Sequence, residues 1–187
     1  MAVIDQIKVT VRAGNQTLQE YDLPQDEQDN QPVRANTTVK YLEAIANTDY
    51  ELKCGISAGG FDLGEADYLS FKFYVDGKYT SSYHFRKARY RASAGSAIIS
   101  QVSRAIVDGQ WRGIPYRWGE LITTEEQSHL TLEEMKQRYA ELGTMRLEVW
   151  RKEGTETRAA RPRYLSPARE TIPEKALKGK AMDLASQ

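Results

Sequence analysis

The chain has 187 residues, of which 40% are apolar, and its 26 basic side chains balance 26 acidic ones. This length suits one domain with an appendage, because a domain of about 150 residues already buries about two-thirds of the surface that its unfolded chain exposes. No apolar run approaches the roughly 18 residues that cross a bilayer, and residues 1–12 alternate polar with apolar instead of forming a signal-peptide core. Cys54 is the one cysteine, which excludes an internal disulfide, and with two histidines it cannot complete a four-ligand zinc site. We therefore expect an intracellular protein, in cytoplasm or nucleus, without membrane contact, metal or cofactor.

Several segments alternate apolar with polar side chains, the pattern of a strand with one buried face. The clearest strands in chain order are Ile7 to Val11, Tyr50 to Ile56, Leu69 to Val75, Trp111 to Trp118 and Met145 to Val149, with weaker signals at Leu18 to Tyr21 and Thr38 to Ile45. Asp76-Gly77 and Asp108-Gly109 are typical of two-residue hairpin turns, because both residue types tolerate positive φ angles. The sequence predicts two antiparallel hairpins.

One helix has a clear start signal. Thr131 and Glu134 form a capping box, in which the Thr hydroxyl and the Glu carboxylate bind amide groups that the first helical turn leaves unpaired. An apolar stripe follows and stops at Gly143, a residue type common after a helix C-terminus. We expect a helix from Leu132 to about Leu142.

Together these signals predict a mainly β protein. Residues 1–151 form an antiparallel β-sandwich with one α-helix before the last strand. Residues 152–171 form a polar basic linker, and residues 172–187 form a short helical segment with Pro173 at its first position. The net charge of zero is the sum of two unequal parts. The chain up to Arg151 has 18 basic and 21 acidic residues, a net charge of −3, and the tail from Lys152 has 8 basic and 5 acidic residues, a net charge of +3.

With these elements placed, the chain resembles a family of uncharacterised fungal proteins that share a domain of unknown function. The resemblance rests on LQEYD, TVKYLEA, LSFKFYVDGKY, YRWGEL, LGTMRLEVWR and IPEKALKGK, which begin at Leu18, Thr38, Leu69, Tyr116, Leu142 and Ile172. It implies a β-rich fold, a variable charged linker and a terminal EKALKG-like motif. It implies no activity.

A possible catalytic motif is the G-x-S-x-G pattern around Ser57, which in serine hydrolases exposes a nucleophile between a strand and a helix. The helix is missing here, because Gly59 is followed by Gly60 and a loop-like segment. The alternating strand–helix pattern of that fold is absent too. The sequence therefore argues against a serine hydrolase. An enzyme of undetermined class, whose dispersed residues the sequence does not identify, stays as an alternative.

Two further hypotheses concern binding. The leading one is a non-enzymatic module for protein–protein interaction, in which the terminal segment docks on a partner or on its own domain through Ile172, Pro173, Lys175, Ala176, Leu177 and Met182. The alternative is nucleic-acid association, with phosphate contacts and ring stacking from Arg86, Lys87, Arg89, Tyr90 and Arg91 and help from the basic tail.

Overall fold

The computed structural model describes residues 2–4, 7–24, 36–56, 63–87, 97–100, 102–119, 123–124, 131–154 and 172–173 of the chain. Within these ranges the elements are β1 (Ala2–Ile4), β2 (Ile7–Ala13), β3 (Gln16–Thr17), β4 (Glu20–Tyr21), β5 (Tyr41–Leu42), β6 (Asp49–Ile56), β7 (Tyr68–Val75), β8 (Lys78–Arg86), β9 (Ala97–Ser100), β10 (Val102–Val107), β11 (Gln110–Arg117), β12 (Thr123–Thr124), α1 (Leu132–Arg138), β13 (Met145–Lys152) and β14 (Ile172–Pro173).

The larger of two main sheets has the strand order β1-β2-β6-β11-β10, with β3 paired to β2 and β9 paired to β6. All of these pairs are antiparallel. The β2–β6 pair runs in unbroken register from Ile7 opposite Ile56 to Ala13 opposite Tyr50. Alternate residues of β6 are buried, as its apolar-polar alternation predicts.

The second main sheet has three antiparallel strands in the order β13-β7-β8. β7 is the central strand, and its inward residues Leu69, Phe71 and Phe73 are fully buried. β8 contains a bulge, because Phe73 faces Ser81 while Tyr74 faces Tyr79, which leaves Thr80 without an opposite residue.

The two main sheets pack face to face around one apolar core. β6 of the larger sheet contributes Leu52, Cys54 and Ile56, and β7 of the three-stranded sheet contributes its inward row. Met145, Leu147 and Val149 of β13 pack against this core from the sheet edge. The predicted mainly β, antiparallel β-sandwich is therefore confirmed.

Both predicted hairpin turns are confirmed. Asp76 and Gly77 have φ angles of 49° and 69°, and Asp108 and Gly109 have φ angles of 52° and 75°. Positive φ at both central residues gives the turn a twist that matches the strands on either side of it. Each Asp-Gly pair therefore connects its strands directly, β7 to β8 and β10 to β11.

The predicted capping box is also present at the start of α1. Thr131 N and Thr131 Oγ1 each lie 2.8 Å from Glu134 Oε2, and Thr131 Oγ1 accepts a hydrogen bond of 3.3 Å from Glu134 N. The helix ends earlier than its apolar stripe predicts, with Arg138 as its last residue. Gly143 instead has a positive φ of 71° in the turn before β13.

Three short segments differ from the predictions. The chain returns along β2 at Gln16–Thr17 rather than at Leu18, and only Tyr41–Leu42 of the segment from Thr38 to Ile45 is a strand, paired with Glu20–Tyr21. The predicted terminal helix begins differently too. Ile172 and Pro173 are extended and pair in parallel with Thr123 and Thr124.

Candidate interaction surface on the three-stranded sheet

Strand alternation gives the three-stranded sheet a face directed away from the core, which we call the outer face. Twelve residues define it, four from each strand, because they alternate with the inward rows in the observed register. They are Arg146, Glu148, Trp150 and Lys152 of β13, Tyr68, Ser70, Lys72 and Tyr74 of β7, and Tyr79, Ser82, His84 and Arg86 of β8.

The register sets basic residues on both sides of an aromatic ring. Lys152 and Arg86 both lie opposite Tyr68, one on each neighbouring strand. Both basic side chains are exposed, and Tyr68 is half-buried between them. The Tyr68 ring meets His84 of the adjacent row edge-on, with centroids 5.3 Å apart. This end of the outer face thus combines two cations with two ring systems.

Glu148 organises the middle of the outer face. Its Oε2 atom accepts hydrogen bonds of 3.3 Å from the Tyr74 hydroxyl and of 3.3 Å from the Trp150 indole N–H. Its Oε1 atom lies 3.5 Å from Arg146 Nε, and the Arg146 guanidinium lies 4.5 Å from the centre of the Tyr74 ring. Glu148 also contributes to raising the pKa of Tyr74, after the larger effect of desolvation. One carboxylate therefore fixes three neighbouring side chains.

Trp150 is the most accessible aromatic residue of this surface. It is 48% exposed, although its N–H is bonded to Glu148 and the Lys152 ammonium lies 5.5 Å from its ring centre. A cation–ring contact of this kind stabilises the position of the indole. Trp150 is a large apolar surface that is both oriented and open.

The basic cluster predicted from sequence is only partly assembled here. Arg86 lies on the outer face, whereas Lys87 is directed elsewhere: its ammonium donates to the Gly64 carbonyl, and its backbone N–H donates to the Asp67 carbonyl. Lys87 therefore secures the loop before β7. Arg89, Tyr90 and Arg91 lie outside the described residues.

The predicted docking segment is described only at its start. Ile172 and Pro173 form β14, which pairs with β12 of the same chain. Lys175, Ala176, Leu177 and Met182 lie outside the described residues.

A shallow cleft of about 530 Å³ opens next to the Lys152 end of the outer face. Its floor includes buried Leu63 and Ala66, and its rim includes Glu65, Arg151 and Glu153. Near the cleft in sequence, Asp67 accepts a hydrogen bond of 2.6 Å from Gly154 N. Positive and negative groups share this rim, so the cleft does not have the predominantly basic character of the outer face.

The next residues to consider are those whose side chains could act in catalysis or bind a metal. Ser57 and His129 lie outside the described residues, and His84 packs on Tyr68. Cys54 is fully buried, and this burial raises the pKa of its thiol to about 12. In the described ranges, no three His, Cys, Asp or Glu side chains are grouped to hold a metal ion. No helix in those ranges is long and apolar enough to span a membrane.

Sequence reasoning missed most of the outer face. The sequence predicts a strand over Met145 to Val149 that contains Arg146 and Glu148, but nothing singles out these residues or Trp150, and Lys152 falls in the predicted linker. Their alternation does place them on one side of β13, which was the available signal. What brings them beside Arg86 is the pairing of β13 with β7, two strands whose paired residues lie 70 or more positions apart.

Comparison with known proteins identifies a family. A family model described as Domain of unknown function (DUF7918) matches residues 6–186. No curated protein and no solved structure matches the chain.

Proposed function

The chain belongs to the family that shares this domain of unknown function, and from that premise we propose that the domain is a non-enzymatic interaction module whose outer face binds a partner protein. The proposal concerns the twelve outer-face residues and gives the β-sandwich the role of a rigid support. An antiparallel sheet that packs its inward side on a core presents its other side to solvent as an ordered surface.

The observation that carries this proposal is Trp150. Tryptophan is among the residues that contribute most to protein–protein affinity, because its large ring is buried at little cost in side-chain entropy. Here the Glu148 carboxylate and the Lys152 ammonium already orient the ring while it is 48% exposed. A partner would cover apolar surface without having to order the side chain first.

The surroundings of Trp150 support the same reading. Lys152, Arg86 and Arg146 form a polar, exposed margin around the rings of the sheet. An aromatic anchor with a charged margin is the usual composition of a non-obligate protein interface. The Glu148 contacts keep this arrangement fixed before any partner arrives.

The test compares two exposed tryptophans. Trp150→Ala removes the anchor of the outer face, and Trp111→Ala removes an indole that is 51% exposed on β11 of the other sheet. Tagged chains of 187 residues, wild type and the two variants, are expressed in cells, crosslinked and purified. We expect the wild type and Trp111→Ala to retain the same proteins and Trp150→Ala to lose them. Equal recovery by all three chains would contradict the proposal.

We place this interaction inside the cell. Cys54 is a free, buried thiol, a state that a reducing compartment preserves. Fluorescence microscopy of a fusion protein tests this placement and separates nucleus from cytosol. Secretion into the medium would contradict it.

A second candidate function is nucleic-acid association. The observation that favours it is the row in which Lys152 and Arg86 flank Tyr68, since phosphate contacts beside a ring are typical of single-strand binding. Binding of a short oligonucleotide at low salt, weakening steeply as salt increases, would support this function. Absence of binding, or binding that salt leaves unchanged, would exclude it.

A further inference from the structure

The outer face carries an excess of positive charge that the rest of the domain lacks. Its charged side chains are four basic groups and one acidic group, Lys72, Arg86, Arg146, Lys152 and Glu148. The chain as far as Lys152, which includes all of these residues, has the opposite balance, with 19 basic and 21 acidic residues. A surface of opposite sign to its own domain attracts anionic groups selectively.

The internal contacts of the outer face leave most of this charge uncompensated. Glu148 is already shared among Arg146, Tyr74 and Trp150. Within the described residues, no carboxylate lies within ion-pair distance of Lys72, Arg86 or Lys152. These cations are therefore available to carboxylates or phosphates of a binding partner.

The exposure of the outer-face rings favours a peptide over a nucleic acid as the ligand. Single-strand binding uses successive open ring faces, one for each stacked base. Of the outer-face aromatic residues only Trp150 is exposed, whereas Tyr68, Tyr74, Tyr79 and His84 are half-buried. Arg146 lies over the Tyr74 ring, and Tyr68 is in edge contact with His84. One open indole suits a single apolar side chain better than a stack of bases.

The spacing of the cations suits an extended chain. β13 and β8 are separated by β7, so the backbones at Lys152 and Arg86 are about 10 Å apart at the usual strand spacing. Side chains on one face of an extended peptide recur at every second residue, so carboxylates two or four residues apart are about 7 or 14 Å apart, and the long Arg86 and Lys152 side chains reach either spacing. Trp150 lies next along β13 on the same face as Lys152.

From these observations we infer that the partner bound by the outer face presents an extended acidic peptide, whose carboxylates pair with Arg86 and Lys152 and whose apolar side chain covers Trp150. This inference rests on the proposed function and adds the chemistry of the partner. Lys72 lies opposite Glu148 in the middle of the sheet, so Arg86 and Lys152 carry the positive charge that the inference uses.

Fluorescence anisotropy tests the inference with the full chain and a labelled peptide of about twelve residues, built from Asp, Glu and Leu. The face variant Arg86→Glu with Lys152→Glu reverses both cations. The control variant Lys8→Glu with Arg112→Glu makes the same change in net charge at exposed positions on β2 and β11 of the other sheet. Circular dichroism and the thermal midpoint establish that each variant is folded, and Arg86→Gln with Lys152→Gln is the milder alternative.

We expect the wild type to bind the peptide with an affinity that decreases as salt increases. The face variant should lose about tenfold or more of this affinity, and the control variant less than about threefold. No binding at low salt, or equal loss in both variants, would overturn the inference. A labelled oligothymidylate that binds where the peptide does not would overturn it in favour of nucleic acid. If the acidic peptide does not bind while Trp150→Ala still loses its cellular proteins, the inferred acidity of the partner is wrong, but the proposed interaction surface is still supported.

Discussion

The hydroxyl of Tyr116 in the larger sheet donates a hydrogen bond of 2.9 Å to Thr80 Oγ1, the hydroxyl of the bulged residue in β8. Thr80 in turn donates to the Phe73 carbonyl at 3.1 Å. The extra residue of the bulge is thereby tied both to its own sheet and to the opposite one. The sandwich is joined at this point by a polar chain at the margin of an apolar core.

Removing this link should destabilise the domain measurably. In Tyr116→Phe the ring still stacks on Tyr50, but the hydrogen bond to Thr80 is lost, at a cost of about 1 kcal/mol in the free energy of unfolding. Urea denaturation measures this change. Tyr21→Phe, at an exposed tyrosine, serves as control and should change stability by less than about 0.5 kcal/mol. Equal effects at the two positions would mean that the link contributes nothing.

The two hairpin glycines should differ in their tolerance of alanine. Both have positive φ, so Gly109→Ala should cost about 1 kcal/mol from backbone strain alone, because nothing lies near its added Cβ. At Gly77 the added Cβ would also lie 2.8 Å from Glu141 Cβ, a contact that requires the two turns to separate. We expect Gly77→Ala to lower the thermal midpoint further than Gly109→Ala. The reverse order would show that the approach of Glu141 is unimportant.

The capping box should make helix stability depend on pH. The hydrogen bonds from Thr131 N–H and its hydroxyl lower the pKa of Glu134 in the folded state. The ionised Glu134 carboxylate therefore stabilises the folded helix fully above its unfolded-state pKa of about 4.3. This stabilisation is lost as the pH falls through the lower folded-state pKa of Glu134. Glu134→Gln should reduce protection of the α1 amides from hydrogen exchange at neutral pH, with a difference from wild type that shrinks toward pH 3. Glu133→Gln, in the same helical turn, is the control. If amide protection in the wild type and in Glu134→Gln differed by the same amount at every pH, ionisation of Glu134 would not be what stabilises the helix.

Cys54 should be chemically inert while the domain is folded. The thiol is fully buried, and its pKa of about 12 leaves almost no thiolate at pH 8. Alkylation by iodoacetamide, followed by mass spectrometry, should be far slower in buffer than in denaturant. Comparable rates in the two solutions would show that the core around β6 opens readily.

The local features of the fold were predictable from sequence because short-range physics determines them. Each Asp-Gly turn depends only on the φ angles of its two central residues, and the capping box spans only four residues. The alternation in β6 shows which side of the strand is buried. The same reasoning placed the end of α1 too late, because an apolar stripe continues past Arg138 into a turn. It also predicted a helix at Pro173, where pairing with Thr124 prevails over the local preference for a helix start.

The outer face could not be predicted in the same way, because it depends on which strands pair. Arg86 was recognised from a run of basic residues, yet its neighbour Lys87 turns to Gly64, and the second cation of the row is Lys152. A one-residue change in the β13–β7 register would move Trp150 and Lys152 to the core side. Only the paired structure determines which charges share a surface.

The parallel pairing of β12 with β14 has a consequence for how this family can vary. It brings Ile172 back beside Thr123 and closes the chain between them into a loop that contains α1 and β13. The entropy of closing a flexible loop increases only with the logarithm of its length, so doubling the length costs about 0.6 kcal/mol. An insertion of a few residues between Thr124 and Ile172 would therefore change the entropy of closing this loop by only a fraction of that amount. Chains that differ in length here would retain the pairing of Ile172 with Thr123 at little entropic cost.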